Sequence, residues 1–367
     1  MSPTTLITGA FGQVGKRCSE ILLSRGHTVV AVDLDNDTST SAAAALARAA
    51  HPGTLIPEFV DLTDPDAADA VVTRHRPTAI VHLAAIVSPP SYRNPRLARR
   101  VNVDGTRHLV TAARALSDPP LFVFASSAAV YGSRNPHRQP ELITGDTPVN
   151  PIDQYGEDKV LAENAIIESA LPYVLLRLAG IVSPDGAASL DGDYLVLVRA
   201  TPVDNRMHAT DARDVALAFA NAADRRAAVA GKVLVIAGND TNRRLMSELQ
   251  DDMMAAVGIG RLGPSVGLPG DPDDDRGWAF TGWFDTAESQ ALLDYQEHDW
   301  SDTVKWVAES MGRRRLLLRA LGPVARPVML TLLAVQRRLE HRGRYADPWT
   351  FMSRKYGSGM LATTEAP

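Results

Sequence analysis

Tyr155 and Lys159 stand four residues apart in the run Asp153-Gln154-Tyr155-Gly156-Glu157-Asp158-Lys159. On a helix, positions i and i+4 share a face, so an ammonium lies beside a phenol. A positive charge there favours phenolate and draws the tyrosine pKa down from its reference of about 10. Such a phenol can take a proton from an alcohol or return one to a carbonyl. The spacing alone is weak, because two common residues meet at it by chance and a solvated helix face reads the same way.

The elements needed to position such a pair are present. Thr4-Thr5-Leu6-Ile7-Thr8 is β-branched and apolar and predicts a buried strand. It runs into Gly9-Ala10-Phe11-Gly12-Gln13-Val14-Gly15, and Gly15 opens a helical pattern through Cys18, Ile21 and Leu22. This is the phosphate-binding turn of a dinucleotide fold in a variant glycine spacing. Glycines let the backbone turn sharply and approach a pyrophosphate, and the following helix offers N–H groups and partial positive charge. A second strand, Thr28-Val29-Val30-Ala31-Val32, ends at Asp33. A carboxylate roughly 20 residues past the glycines bonds the adenosine ribose hydroxyls and repels a 2′-phosphate. Leu34, Asp35, Asn36 and Asp37 follow, without an arginine. NAD is therefore the expected cofactor, in preference to NADP.

With these residues in place, the chain resembles the extended short-chain dehydrogenase/reductases, the NAD-dependent epimerase/dehydratase superfamily, from residue 4 to about 310. Thr8–Gly15 is similar to its TGxxGxxG turn, which makes Gly9, Phe11, Gly12, Gln13, Val14 and Gly15 expected cofactor neighbours. Asp61-Leu62 resembles the adenine-ring contact after the third strand. His82-Leu83-Ala84-Ala85 resembles the segment after the fourth strand that passes under the cofactor, with Leu83, Ala84 and Ala85 in contact and His82 packed beneath. Asn102 matches the family's structural asparagine, fixing a bend close to the cofactor. Ala125-Ser126-Ser127-Ala128-Ala129-Val130-Tyr131-Gly132 matches the fifth strand, which carries the catalytic serine. Register against Val130-Tyr131-Gly132 makes that residue Ser127, with Ser126 as its competitor. The resemblance implies that Tyr155 is the acid/base and that Lys159 lowers its pKa and holds the nicotinamide ribose. Ser127 would donate to the substrate oxygen, and the nicotinamide would carry the hydride. It also implies a homodimer built on two helices, one of them bearing Tyr155.

The 367 residues suit one large α/β domain or two coupled lobes. Alternating patterns predict a Rossmann-type, doubly wound parallel sheet with strands near 4–8, 28–32, 55–60, 79–83, 121–125, 173–178 and 233–237. The expected organisation is a nucleotide-binding domain over 1–178 with parts of 209–238, a smaller substrate lobe over 179–208 and 239–312, and a basic, apolar helical extension over 313–367. Cys18 is the only cysteine, so no intrachain disulfide can form and a reducing, cytoplasmic location is expected. Residues 1–20 show no signal-peptide pattern and already serve the first strand. Asp271–Asp275 reads as a solvated loop, and no metal site is expected. Trp278, Phe280, Trp283 and Phe284 lie beside it, as pocket lining or as packing.

Departures from the family narrow the substrate, a small molecule on this reading. Nucleotide-sugar 4,6-dehydratases carry Thr-Asp-Glu after the fifth strand; here Ser127-Ala128-Ala129 stands there, without the dehydrating acids. Many sugar epimerases carry a diphosphate-binding asparagine after the sixth strand; here Leu176-Arg177-Leu178-Ala179-Gly180 has none. Arg206 could meet a substrate phosphate or serve a surface ion pair. The expected activity is hydride transfer between NAD and a secondary alcohol or ketone on a fairly apolar substrate. A nucleotide-sugar 4-epimerase with captive NAD is the first alternative, and a non-catalytic NAD-binding sensor or scaffold the second.

The tail lies outside the resemblance. Residues 313–344 hold nine arginines and one acid, Glu340, a charge of +8 in a chain of net −5, which leaves −13 elsewhere. Apolar runs at 316–318 and 328–335 separate the arginines, and Pro323 and Pro327 argue against a clean membrane span. Two readings stay open. The tail is a helical appendage packed on the acidic body or a second subunit, or it is an amphipathic segment on the inner face of a membrane. No recognised motif or stacking platform accompanies the charge, so nucleic acid is not an expected partner.

Overall fold

The computed structural model describes residues 2–188, 192–263, 266–279 and 282–363; Phe280 lies outside them. Among the described residues ten strands form: β1 Thr4–Thr8, β2 Thr28–Asp33, β3 Thr54–Phe59, β4 Ala79–His82, β5 Leu121–Ser127, β6 Tyr173–Leu178, β7 Gly180–Val182, β8 Arg206–Asp211, β9 Lys232–Ile236 and β10 Arg243–Leu245. Seven of them make one parallel sheet in the order β3-β2-β1-β4-β5-β6-β9. Each of these seven falls within two residues of its expected place. For the inner strands the reason is burial on both faces, which selects continuous apolar runs rather than alternation; β3, at the edge, is part-exposed. Val29–Val32 and Leu121–Phe124 are at most 1% exposed.

Helices cover both faces of this sheet. Gly15–Ser24 turns Cys18, Leu22 and Leu23 inward and packs beside Ala212–Asp224 in one core. Pro65–His75, Gly105–Arg114 and Gln154–Glu168 pack the other. The chain fills the sheet outward from β1 to β3, then crosses to β4 and proceeds the other way. The order reverses between β1 and β4, and in open α/β sheets ligands bind at the carboxyl ends of the strands at such a reversal. The glycine turn, the Leu83–Ala85 segment and Ser127 all lie at that edge.

A second sheet, β10-β8-β7, was not legible in advance. It divides the stretch 209–238: β8 joins the small sheet, while Ala212–Asp224 and β9 join the large body.

The extension is two structures. A helix runs over Gly312–Leu339, straight through Pro323 and Pro327, and only Gly322 in it is buried. Interior prolines each remove a helix hydrogen bond and crowd the preceding turn, at about 3 kcal/mol. The chain then returns to the body through the helix Pro348–Tyr356, where Pro348, Trp349 and Met352 are buried.

Candidate active site

The glycine turn follows from close backbone packing. Gly9 has φ +65, and a Cβ there would lie 2.9 Å from the Ala84 nitrogen. A Cβ at Gly15 would stand 2.1 Å from the Gly9 carbonyl oxygen. The Phe11 N–H donates to Asp33 Oδ2 at 3.0 Å, and the Leu34 N–H donates to Oδ1 at 2.9 Å. The end of β2 is thus held against the turn. Gln13 accepts from Ser183 Oγ at 2.7 Å, while Val14 and Phe11 are buried. Asp61 caps its own loop by accepting from Thr63, and Leu62 packs under Gly105.

Past β4, Leu83 N–H donates to the Thr8 carbonyl at 3.1 Å, and Ala84 N–H donates to Thr8 Oγ1 at 3.3 Å. Asn102 grips this segment by both amide atoms, accepting from Ile86 N–H at 2.8 Å and donating to Ile86 O at 3.0 Å. Its role is to fix the backbone beside Ala85. His82 is bracketed by Thr8 Oγ1 at 2.6 Å and Thr106 Oγ1 at 2.9 Å. Burial, aided by Lys159, lowers its pKa to about 3. A neutral, doubly bonded ring is a spacer under the site.

The helix Gln154–Glu168 begins where Asp153 accepts from the Gly156 N–H at 3.0 Å. Tyr92 donates to the other Asp153 oxygen at 2.5 Å. Burial pushes the Asp153 pKa up to about 6. The first turn of this helix carries Tyr155, 7% exposed and beside Ser127, whose hydroxyl accepts from the Ala129 N–H at 3.2 Å. The two serines diverge by strand alternation. Ser126 donates to Glu163, which is also paired with Arg177 at 2.7 Å, all three being buried. Ser127 alone faces the phenol.

One expectation fails as stated. Lys159 was to lower the Tyr155 pKa, yet the phenol is pushed upward, by burial first and then by Asp153 and Asp158, against the pull of Ser127. The ammonium is drawn elsewhere: it donates to Ala125 O at 2.7 Å and lies 4.7 Å over Phe124, against 5.8 Å over the Tyr155 ring. Burial in turn lowers Lys159 to about 8.

Arg206 sits on β8, donates to Pro140 O at 2.8 Å and covers Trp283 at 4.6 Å. Arg134 lies close enough for its charge to act on the same region, and burial lowers the pKa of both arginines. Trp278 and Phe284 are core residues, 0% and 1% exposed. The loop Asp271–Asp275 is tied to Asn135 and Arg138.

Residues that local reasoning missed come from the tail. Trp349, Met352 and Met360 share one apolar cluster with Tyr92, Ile152 and Tyr155. Leu361 bridges to Asp153, and Thr363 donates to Glu157. No sequence signal near Tyr155 points to partners almost 200 positions away.

The model of the NAD dependent epimerase/dehydratase family matches residues 5–237. The chain belongs to that family. It is 33% identical over 162 residues to D-erythronate dehydrogenase of Cupriavidus necator, covering 43% of this chain and 48% of that protein. It is 36% identical over 164 residues to UDP-glucose 4-epimerase 2 of Oryza sativa, covering 44% and 39%. The chain thus spans about half the length, or less, of these curated relatives. The fold is that of Thermus thermophilus UDP-glucose 4-epimerase in complex with NAD, with TM-score 0.65, 20% identity and coverage of 84% of this chain and 98% of that one. NAD is the cofactor of this family, and the residues here fit it. A turn that tolerates no Cβ, a carboxylate ending β2 and an exposed Leu34 in place of a phosphate-binding arginine suit a dinucleotide without a 2′-phosphate.

Proposed function

We propose that the chain is an NAD-dependent oxidoreductase interconverting a secondary alcohol and a ketone on an apolar substrate. The observation that carries this reading is the buried Tyr155 beside Ser127, sharing an apolar cluster with Trp349, Met352 and Met360. NAD, when bound, supplies hydride transfer. Tyr155 takes the hydroxyl proton of the alcohol or returns one to the ketone oxygen. Ser127 donates to that same oxygen and shares its developing charge. Lys159, whose ammonium donates to Ala125 O at 2.7 Å, holds the nicotinamide ribose in this reading and does not charge the phenol. The glycine turn and Asp33 hold the adenosine end.

Nucleotide release tests this directly. Fresh protein is denatured and its nucleotide quantified, and native protein is assayed for NADH with apolar secondary alcohols. Exchangeable NAD with alcohol-dependent NADH supports the proposal. Captive NAD with no net NADH, and turnover of nucleotide sugars, would replace it with a 4-epimerase. One observation favours that second reading: Arg134 and Arg206 are neighbouring cations disfavoured by burial, a setting that an anion such as a diphosphate relieves.

A further inference from the structure

The helix Gly312–Leu339 turns an apolar face outward. Leu317, Leu321, Val324, Val328, Leu332 and Val335 recur at three- and four-residue steps and are 46–69% exposed. These steps keep them on one side of a helix, as a stripe about 27 Å long. The opposite side meets the body. Arg315 donates to Ala256 O at 2.8 Å, and a Cβ at Gly322 would stand 2.9 Å from Ile259 O.

Charge frames the stripe. Arg313 and Arg314 precede it, Arg338 follows it, and all three are exposed. No Asp or Glu occurs from 312 to 339. Pairing two copies along this face, parallel or antiparallel, would bring arginines against arginines with no carboxylate in the helix to neutralise them. An anionic surface complements both the stripe and its ends.

Length and composition would let this helix cross a bilayer. Its ends do not. The first turns are tied to Ala256, and past the last turn Glu340 pairs with Arg199 at 2.6 Å. The chain then docks Trp349 under Trp278 O at 3.0 Å. A helix fastened at both ends to one globular body lies along a membrane instead of through it.

We propose that this face docks the protein on an anionic bilayer, with the helix axis in the membrane plane. The apolar stripe enters the acyl boundary, and Arg313, Arg314 and Arg338 meet headgroups. The rest of the chain, at −13, is repelled by such a surface, so one orientation is selected. This inference does not depend on which reaction the site performs.

The test is co-sedimentation of the full chain with phosphatidylglycerol–phosphatidylcholine vesicles and with pure phosphatidylcholine vesicles. Pelleting with the anionic vesicles, weakened by salt, is expected. The triple variant Arg313→Glu, Arg314→Glu, Arg338→Glu should bind more than about tenfold more weakly. Leu321→Gln, Val324→Gln, Val328→Gln should also lose binding while its circular dichroism and NAD binding stay unchanged; if it fails to fold, the charge variant decides. Absence of pelleting with either vesicle overturns the proposal. So does a homodimer in analytical ultracentrifugation that the glutamine variant converts to monomer, because a second copy would then be the occupant.

Discussion

The indole Nε1 of Trp349 donates to the Ser133 hydroxyl at 2.7 Å. Ser133 in turn donates to the Trp278 carbonyl. Three distant stretches meet there: the loop after β5, the loop carrying Trp278 and the returning tail. The extension is therefore part of the wall around Tyr155, and its removal should be felt in both stability and substrate affinity. Trp349→Ala empties a site that is 4% exposed. We expect a loss of about 3–5 kcal/mol in urea unfolding, with a raised KM for apolar substrates. Trp349→Phe retains most of the apolar volume and should fall between the two.

Tyr155→Phe removes only the phenolic oxygen from a packed position. Turnover should fall by about 10²–10⁴-fold or more. NAD binding by fluorescence titration should remain nearly intact. Equal activity in this variant would sink the assignment of the acid/base.

The two serines should separate by phenotype. Ser127 lies beside Tyr155, so Ser127→Ala should lower kcat with little change in unfolding midpoint. Ser126 serves the buried Glu163–Arg177 pair, so Ser126→Ala should lower stability by about 1–3 kcal/mol and spare kcat. The reverse pattern would shift the catalytic register by one residue.

Cofactor choice rests on Asp33 and its exposed neighbour Leu34. Asp33→Ala with Leu34→Arg should weaken NAD binding and strengthen NADP binding, read as a change in the ratio of the two dissociation constants. An unchanged ratio would mean that the end of β2 does not meet the ribose.

The Asp153 pKa is raised from 3.8 to about 6 by burial. The folded state thus holds this proton more tightly than the unfolded chain. Its contribution is full below the unfolded value and is lost as pH rises through the folded one. Asparagine can keep the helix cap and the Tyr92 contact without the charge. The stability of Asp153→Asn relative to wild type should therefore grow between about pH 4 and pH 6 and level off above, measured by urea unfolding at each pH.

Much of this was already written in local sequence. The strand-to-glycine turn of residues 4–15, the Asp33 terminus and the Tyr155–Lys159 spacing depend on backbone sterics and helix periodicity, which act over a few residues. The inner strands of the large sheet could be read because they are buried on both faces and so carry apolar runs, while the edge strand β3 is part-exposed. The small sheet could not, since its three-residue strands β7 and β10 carry no period.

The tertiary structure decided the remainder. Strand alternation turned Ser126 to Glu163 and left Ser127 for Tyr155. The Ala125 carbonyl, supplied by a strand 34 positions away, drew the Lys159 ammonium from the phenol, while burial raised the Tyr155 pKa that the spacing alone would lower. Composition showed that the tail was basic and apolar. Only the fold tied both its ends to one body and folded Trp349 and Met352 against the Tyr155 cluster. Such outcomes depend on long-range packing and desolvation, and neither is encoded in the spacing of neighbouring residues.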